Sequence, residues 1–144
     1  MEIDVCIESV SCSEDSVRAV ASQTLQILKL LDVQLSILLC DDQYIQPLNR
    51  EYRGKDYATD VLSFSQREGE FGLVDDTLLG DVIISVETAR RQSLEKHHSF
   101  GLEMEILLVH GILHLLGYDH IDDSDAVQMQ ALEQQILDQI QVKW

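Results

Sequence analysis

The run His110-Gly111-Ile112-Leu113-His114-Leu115-Leu116-Gly117-Tyr118-Asp119-His120 constrains this chain more than any other stretch. His110 and His114 are four residues apart, so a helix places both on one face, one turn apart. Gly117 can end that helix, because glycine enters the left-handed conformation without a Cβ penalty. The chain can then turn back and bring His120 over the same face. Three converging imidazoles leave a fourth position for water, the layout of a catalytic zinc site. Zinc lowers the pKa of such a water to ~7 and so supplies hydroxide at neutral pH. A lone histidine on an apolar helix is ordinarily a satisfied core residue. Three of the protein's five histidines at this spacing, with a glycine at the bend, point instead to a metal.

The spacing is that of the zinc-protease pattern HExxHxxGxxH, except that Gly111 stands where the glutamate belongs. That glutamate is the proteases' general base, so its absence argues against peptide hydrolysis by their route. The ligands are untouched. A carboxylate elsewhere, Glu103 or Asp60, could in principle replace the base. Glu103 precedes His110 by two helical turns, on the same face but ~10 Å away by helix rise, which is far for a base acting through one water.

The run also resembles the HGxLHLxGYDH signature of the YbeY endoribonuclease family, at every specified position. Two further segments agree in family order. The stretch from Leu48 to Ser65, LNREYRGKDYATDVLSFS, is similar to LNxxYRxKDxPTDVLSFP, and Leu79 to Ser85, LGDVIIS, is similar to LGDIxIS. Ala58 and Ser65 replace prolines of the pattern, which costs loop rigidity and removes no chemical group. The resemblance covers essentially the whole chain and implies a single domain over residues 1–144. It implies a metal-dependent endoribonuclease that cuts single-stranded RNA in ribosomal RNA maturation, notably at the small-subunit 3′ end, and in ribosome quality control. Ribosome-associated proteins would be its partners. His110, His114 and His120 would hold one Zn2+ ion, and the resemblance gives His114 a catalytic role besides. It assigns a second catalytic role to Arg53, whose planar guanidinium can grip a phosphate with two parallel hydrogen bonds. Arg50 and Lys55 would help bind the RNA strand.

The net charge of −16 sits awkwardly with that reading, because nucleic-acid binders usually carry a basic footprint. Screening over ~8 Å still allows a local basic cleft. Arg50, Arg53 and Lys55 form one cluster. Arg90, Arg91 and Lys96 beside His97 and His98 form another, which reads as a solvated helix face. The acidity predicts weak, selective RNA binding or reliance on a docking partner.

The 144 residues suit one domain with a real core. No apolar run is long enough to span a membrane. The acidic, alternating N-terminus is unlike a signal peptide, so a cytoplasmic protein is expected. Cys6, Cys12 and Cys40 lack ligand spacing and read as small buried thiols in a reducing compartment.

Alternation marks a strand at Ile3–Ile7. Ser13 caps a helix expected to reach about Leu31, with Val17, Val20, Ala21, Thr24, Leu25 and Leu28 inward. Val33–Cys40 is a buried strand, and Asp41-Asp42 caps a helix through Tyr52. Asp60–Ser65 and Leu78–Ser85 are strands, joined by a polar loop read as mobile. Helices follow at Val86–Lys96, with Glu87, Arg90 and Arg91 as charge pairs, and at Ser99–Leu116, the metal helix. The acidic run Asp122, Asp123 and Asp125 caps the last helix, Ser124–Val142, with Val127, Leu132, Ile136 and Ile140 inward. The fold class is α+β: a mixed sheet of about four strands with about five helices. The first three strands can pair in parallel, and the third and fourth form a hairpin. The metal site lies on a C-terminal core helix and its following turn.

Two other functions remain open at this point. One is a zinc hydrolase of peptides or small substrates. The other is a non-enzymatic ribosome-assembly factor with structural zinc, which would need a fourth protein ligand such as Asp119 or a cysteine.

Overall fold

The computed structural model describes residues 1–66, 77–118 and 123–144. The elements run β1 (Glu2–Ile7), α1 (Glu14–Ile27), β2 (Gln34–Cys40), α2 (Asp42–Arg53), β3 (Val61–Ser65), β4 (Leu78–Ser85), α3 (Val86–Glu95), α4 (Phe100–Leu115) and α5 (Asp123–Gln139). The segment expected to be a mobile loop lies almost wholly outside the described residues, as does Asp122.

The sheet order is β1-β2-β4-β3. β1 and β2 pair in parallel, β2 and β4 pair in parallel, and β3 runs antiparallel to β4. The sheet is mixed, as expected, but β3 does not lie beside β2. β4 takes that place and leaves β3 at the edge. The side-chain period of two gives the sheet two apolar faces. Leu35, Ile37, Leu39, Val82 and Ile84 face the main core, shared with Val17, Val20 and Leu25 of α1, Ala89 of α3 and Met104, Leu108 and Ile112 of α4. Cys40, Leu62 and Ile83 face the other way, onto Ile45 of α2. α2 thus covers one face of the sheet, and α1, α3 and α4 cover the other.

The helix starts are chemically explicit. The side chains of Ser13, Asp41, Ser85 and Ser99 each accept a hydrogen bond from the backbone N–H three residues on, in the manner of an N-cap. Helix α1 stops four residues before the expected end. Lys29 takes a left-handed conformation (φ 61°), and Leu30 N–H bonds to Leu25 C=O at 2.8 Å. That closure ordinarily uses glycine, so nothing in the residue types announces it. Helix α4 closes the same way with the expected residue. Gly117 has φ 96°, Tyr118 N–H bonds to Leu113 C=O at 3.2 Å, and Gly117 N–H bonds to His114 C=O at 3.0 Å.

Three expectations need correction. Val127 is 65% exposed, whereas Ile136 is buried and Leu132 and Ile140 are partly so; α5 touches the core with a narrower stripe than its apolar residues suggest. Cys6 is exposed, and only Cys40 of the three cysteines is buried. The arginines of α3 do not pair with Glu87. Arg91 meets the Asp42 carboxylate at 2.8 Å, and Arg90 donates to Ser11 C=O at 2.7 Å while its guanidinium lies 4.2 Å from the Phe100 ring centre. No helix among the described residues is long and apolar enough to cross a membrane.

Candidate functional site

Helix α4 is buried by opposite sides. Its Met104, Leu108, Ile112 and Leu115 enter the main core, and its Val109 and Leu113 pack against Met129 and Ile136 of α5. From Leu107 to Leu115 only His110 and His114 are left half-buried. They form one wall of a cavity of about 790 Å3. The edge strand β3 forms a second wall, and the C-terminal end of α2 with the following turn forms the third, contributing Tyr52, Arg53, Tyr57, Thr59 and Asp60.

The two histidine Nε2 atoms lie 3.0 Å apart, with the rings at 72° to each other. Two nitrogens bound to one tetrahedral zinc at 2.0–2.1 Å would stand ~3.3 Å apart, so the pair needs little adjustment to share an ion. His110 Nδ1 lies 2.6 Å from Glu133 Oε1 on α5. A carboxylate there accepts a hydrogen bond from Nδ1–H and leaves the Nε2 lone pair directed at His114, which is the arrangement that metal-ligating histidines use. The two nitrogens therefore suit a divalent transition ion, and among the described residues no third His, Cys, Asp or Glu joins them in a metal-binding group. His120 lies outside the described residues, as does Asp119. None of the three cysteines lines the cavity.

Gly111 explains why this helix lacks the protease glutamate. A Cβ built there would sit 2.8 Å from Val82 Cγ1 and 3.3 Å from both Ser63 Oγ and Val61 Cγ2. The helix lies directly on the sheet at this point, and Ser63 Oγ donates to Gly111 C=O at 2.9 Å. No side chain of glutamate's size fits. Glu103, the substitute considered on α4, is fully buried and committed elsewhere: Lys96 Nζ approaches its carboxylate at 3.2 Å and His98 Nε2 at 2.7 Å. Asp60 does line the cavity, and its Oδ1 accepts the Val61 backbone N–H at 2.7 Å, so it caps its own strand.

Arg53 faces the same cavity as the two histidines. It ends α2, where Gly54 at φ 70° caps the helix and its N–H bonds to Arg50 C=O. Cations in this last turn are favoured by the helix dipole. Arg50 and Lys55 are exposed and do not line the cavity. The cluster around Arg90, Arg91, Lys96 and His98 is consumed in structural contacts and lies on other elements. Sequence reasoning passed over three residues here. Glu133 is 23 positions from its histidine, beyond any local pattern, and neither Tyr52 nor Tyr57 was given a role in the site.

The model of the family described as Endoribonuclease YbeY matches residues 3–141. The Endoribonuclease YbeY of Heliobacterium modesticaldum is 51% identical over 116 residues, covering 75% of this chain and 70% of that protein. The chloroplastic Endoribonuclease YBEY of Arabidopsis thaliana is 49% identical over 105 residues, 73% of this chain but 18% of that protein. A solution structure from Thermotoga maritima superposes with a TM-score of 0.67 over 94% of this chain and 87% of its own, at 24% identity, and so shares the fold. The sequence match over nearly the whole chain, together with the shared fold, establishes that the chain belongs to the Endoribonuclease YbeY family.

Proposed function

We propose that this chain is a metal-dependent endoribonuclease acting on single-stranded RNA in ribosomal RNA maturation, performed by one domain spanning residues 1–144. The observation that carries the reading is that Arg53, His110 and His114 line one cavity. Arg53 would hold a phosphate through paired N–H donors, a geometry that a lysine lacks. His110 and His114, with His120, would hold the ion, and zinc suits three imidazoles in a non-redox site. When bound, such an ion supplies Lewis acidity and a water of lowered pKa. Glu133 fixes the tautomer of His110. Arg50 and Lys55 would meet the strand outside the cavity. Processing of the small-subunit 3′ end, ribosome quality control and contact with ribosome-associated proteins follow from the family resemblance, and a cytoplasmic location is proposed with them. Peptide hydrolysis is disfavoured by two observations, the lack of space at Gly111 and the engagement of Glu103.

The test is cleavage of single-stranded ribosomal RNA fragments by zinc-loaded protein, with a duplex control. Arg53→Ala should lower kcat/KM on the order of 10²-fold, as removal of a charge-stabilising donor does, with metal content and fold unchanged. Arg53→Lys should restore little of it. His114→Ala should lose activity together with metal. Equal cleavage by all four preparations would refute the assignment.

A further inference from the structure

Two tyrosines of the cavity wall are left largely exposed. Tyr52 is 60% exposed and Tyr57 is 53% exposed, although both line the cavity beside Arg53. Among the described residues neither phenol oxygen takes a hydrogen-bond partner. Exposed aromatic rings lose apolar contact, so rings left out in a cleft mark contact with something apolar and flat.

The chain around them is nevertheless fixed from beneath. The fully buried Asn49 donates its Nδ2 to Tyr57 C=O at 2.8 Å. Ala58, the next residue, packs into the apolar cluster of Cys40, Ile45, Leu62 and Ile83. Asp56, the residue before, accepts from Gln46 Nε2 at 3.3 Å. Tyr52 rests edge-on against Phe64, with ring centres 4.9 Å apart and planes at 69°. Both rings are thus carried on anchored backbone and stay more than half exposed, which lowers the entropy lost on contact.

The geometry points to Tyr52 and Tyr57 as a stacking subsite for unpaired nucleobases next to the phosphate held by Arg53. The inference rests on the RNA reading above and adds to it where the bases go. A flat aromatic ring is what an exposed base face recognises, and stacking tolerates any base. It also supplies a physical reason for single-strand selectivity. A base within a duplex has both faces covered by its neighbours and offers nothing to either ring.

The experiment uses the whole chain and a fluorescent single-stranded RNA oligonucleotide, followed by polarisation for binding and by gel for cleavage. Tyr57 is the better probe, because Tyr52 also has a ring contact with Phe64 to lose. Tyr57→Ala should weaken binding about tenfold, the usual loss for one stacked base. Tyr57→Phe should stay within twofold of the parent, since stacking needs the ring and not the hydroxyl. An abasic residue walked through the oligonucleotide should weaken binding to the parent at one or two positions, and at one of these should cost Tyr57→Ala nothing further. Tyr52→Phe and Tyr52→Leu should divide the same way. The stacking inference is overturned if Tyr57→Phe behaves like Tyr57→Ala, or if every abasic position weakens parent and variant equally. Unchanged affinity in Tyr57→Ala with intact cleavage overturns it as well and spares the nuclease reading. Failure of the parent protein to bind or cut any RNA overturns both.

Discussion

The contact between Glu133 and His110 offers the sharpest test of the metal reading. It spans two helices, is 2.6 Å long, and leaves the imidazole 27% and the carboxylate 19% exposed. A hydrogen bond to a charged acceptor contributes about 1.5–3 kcal/mol, and these groups are too far from bulk water for heavy screening. If the contact serves to hold the Nε2 lone pair toward an ion, that energy appears in metal affinity. At about 1.4 kcal/mol per factor of ten, removing the acceptor should weaken binding roughly 10–100-fold, which matches the usual effect of losing such a partner. Glu133→Ala should therefore raise the zinc Kd by that factor. Glu133→Gln keeps an oxygen that can accept from Nδ1 and loses only the charge, so its loss should be about 3–10-fold. The assay is competition between the protein and a chromophoric chelator at fixed pH, with circular dichroism to verify folding. His114→Ala, which removes a proposed ligand, sets the scale. If Glu133→Ala binds zinc within twofold of the parent while His114→Ala does not bind, the carboxylate merely docks α5 onto α4 and the reasoning fails.

Two further outcomes follow from packing and charge. Burial alone would push the Asp42 carboxyl up, but the hydroxyls of Ser85 and Thr88 (2.6 Å each) and the Arg91 guanidinium outweigh it and hold it below the ordinary carboxylate range. A depressed pKa stabilises the fold above the unfolded-state value and loses that contribution as pH falls through the folded one. Asp42→Asn should thus cost about 1–2 kcal/mol at pH 7, discounted for the exposed Arg91, and progressively less in acid; a denaturation series showing a pH-independent difference would contradict this. Gly111→Ala should destabilise by up to ~2 kcal/mol, because crowding against the immovable Val82 outweighs the ~1 kcal/mol gain in helix propensity, and a raised Tm would show that the helix can lift from the sheet.

The parts of this molecule that were legible in sequence are those with local causes. Ser13, Asp41 and Ser99 announce their helices because a cap acts over three residues. The histidine pair is readable because four residues make one helical turn. Gly117 is readable because its conformation demands its type. What escaped was non-local or carried by an unexpected residue type. Lys29 does a glycine's work at the end of α1, and Glu133 reaches His110 from another helix. The insertion of β4 between β2 and β3 depends on the tertiary packing of α2 and on segments far apart in the chain. Tyr57 occupies a position that the family pattern leaves unspecified, so motif reading passes over it. The role of Gly111 illustrates the difference most plainly: its identity was visible at once as a missing base, but its cause, contact with Val82, required the packed sheet.

The charge of the chain bears on how such a cleft can hold RNA at all. Ten basic residues face twenty-six acidic ones, and Arg53 is the one lysine or arginine among the described residues that line the cavity. Few phosphates can then be neutralised, so the release of counterions, which dominates most nucleic-acid binding, supplies little affinity here. The bulk field repels the backbone as well. Affinity must instead come from contacts that do not depend on charge, and the cavity offers two exposed rings on anchored backbone and the polar edge of β3. Such contacts require the bases to be unstacked and accessible. An enzyme built this way would leave duplex RNA alone because the one arginine in its cavity, with Arg50 and Lys55 outside it, cannot hold a backbone without help from the bases, and selectivity for single strands would follow from the same shortage of positive charge that at first seems to argue against RNA.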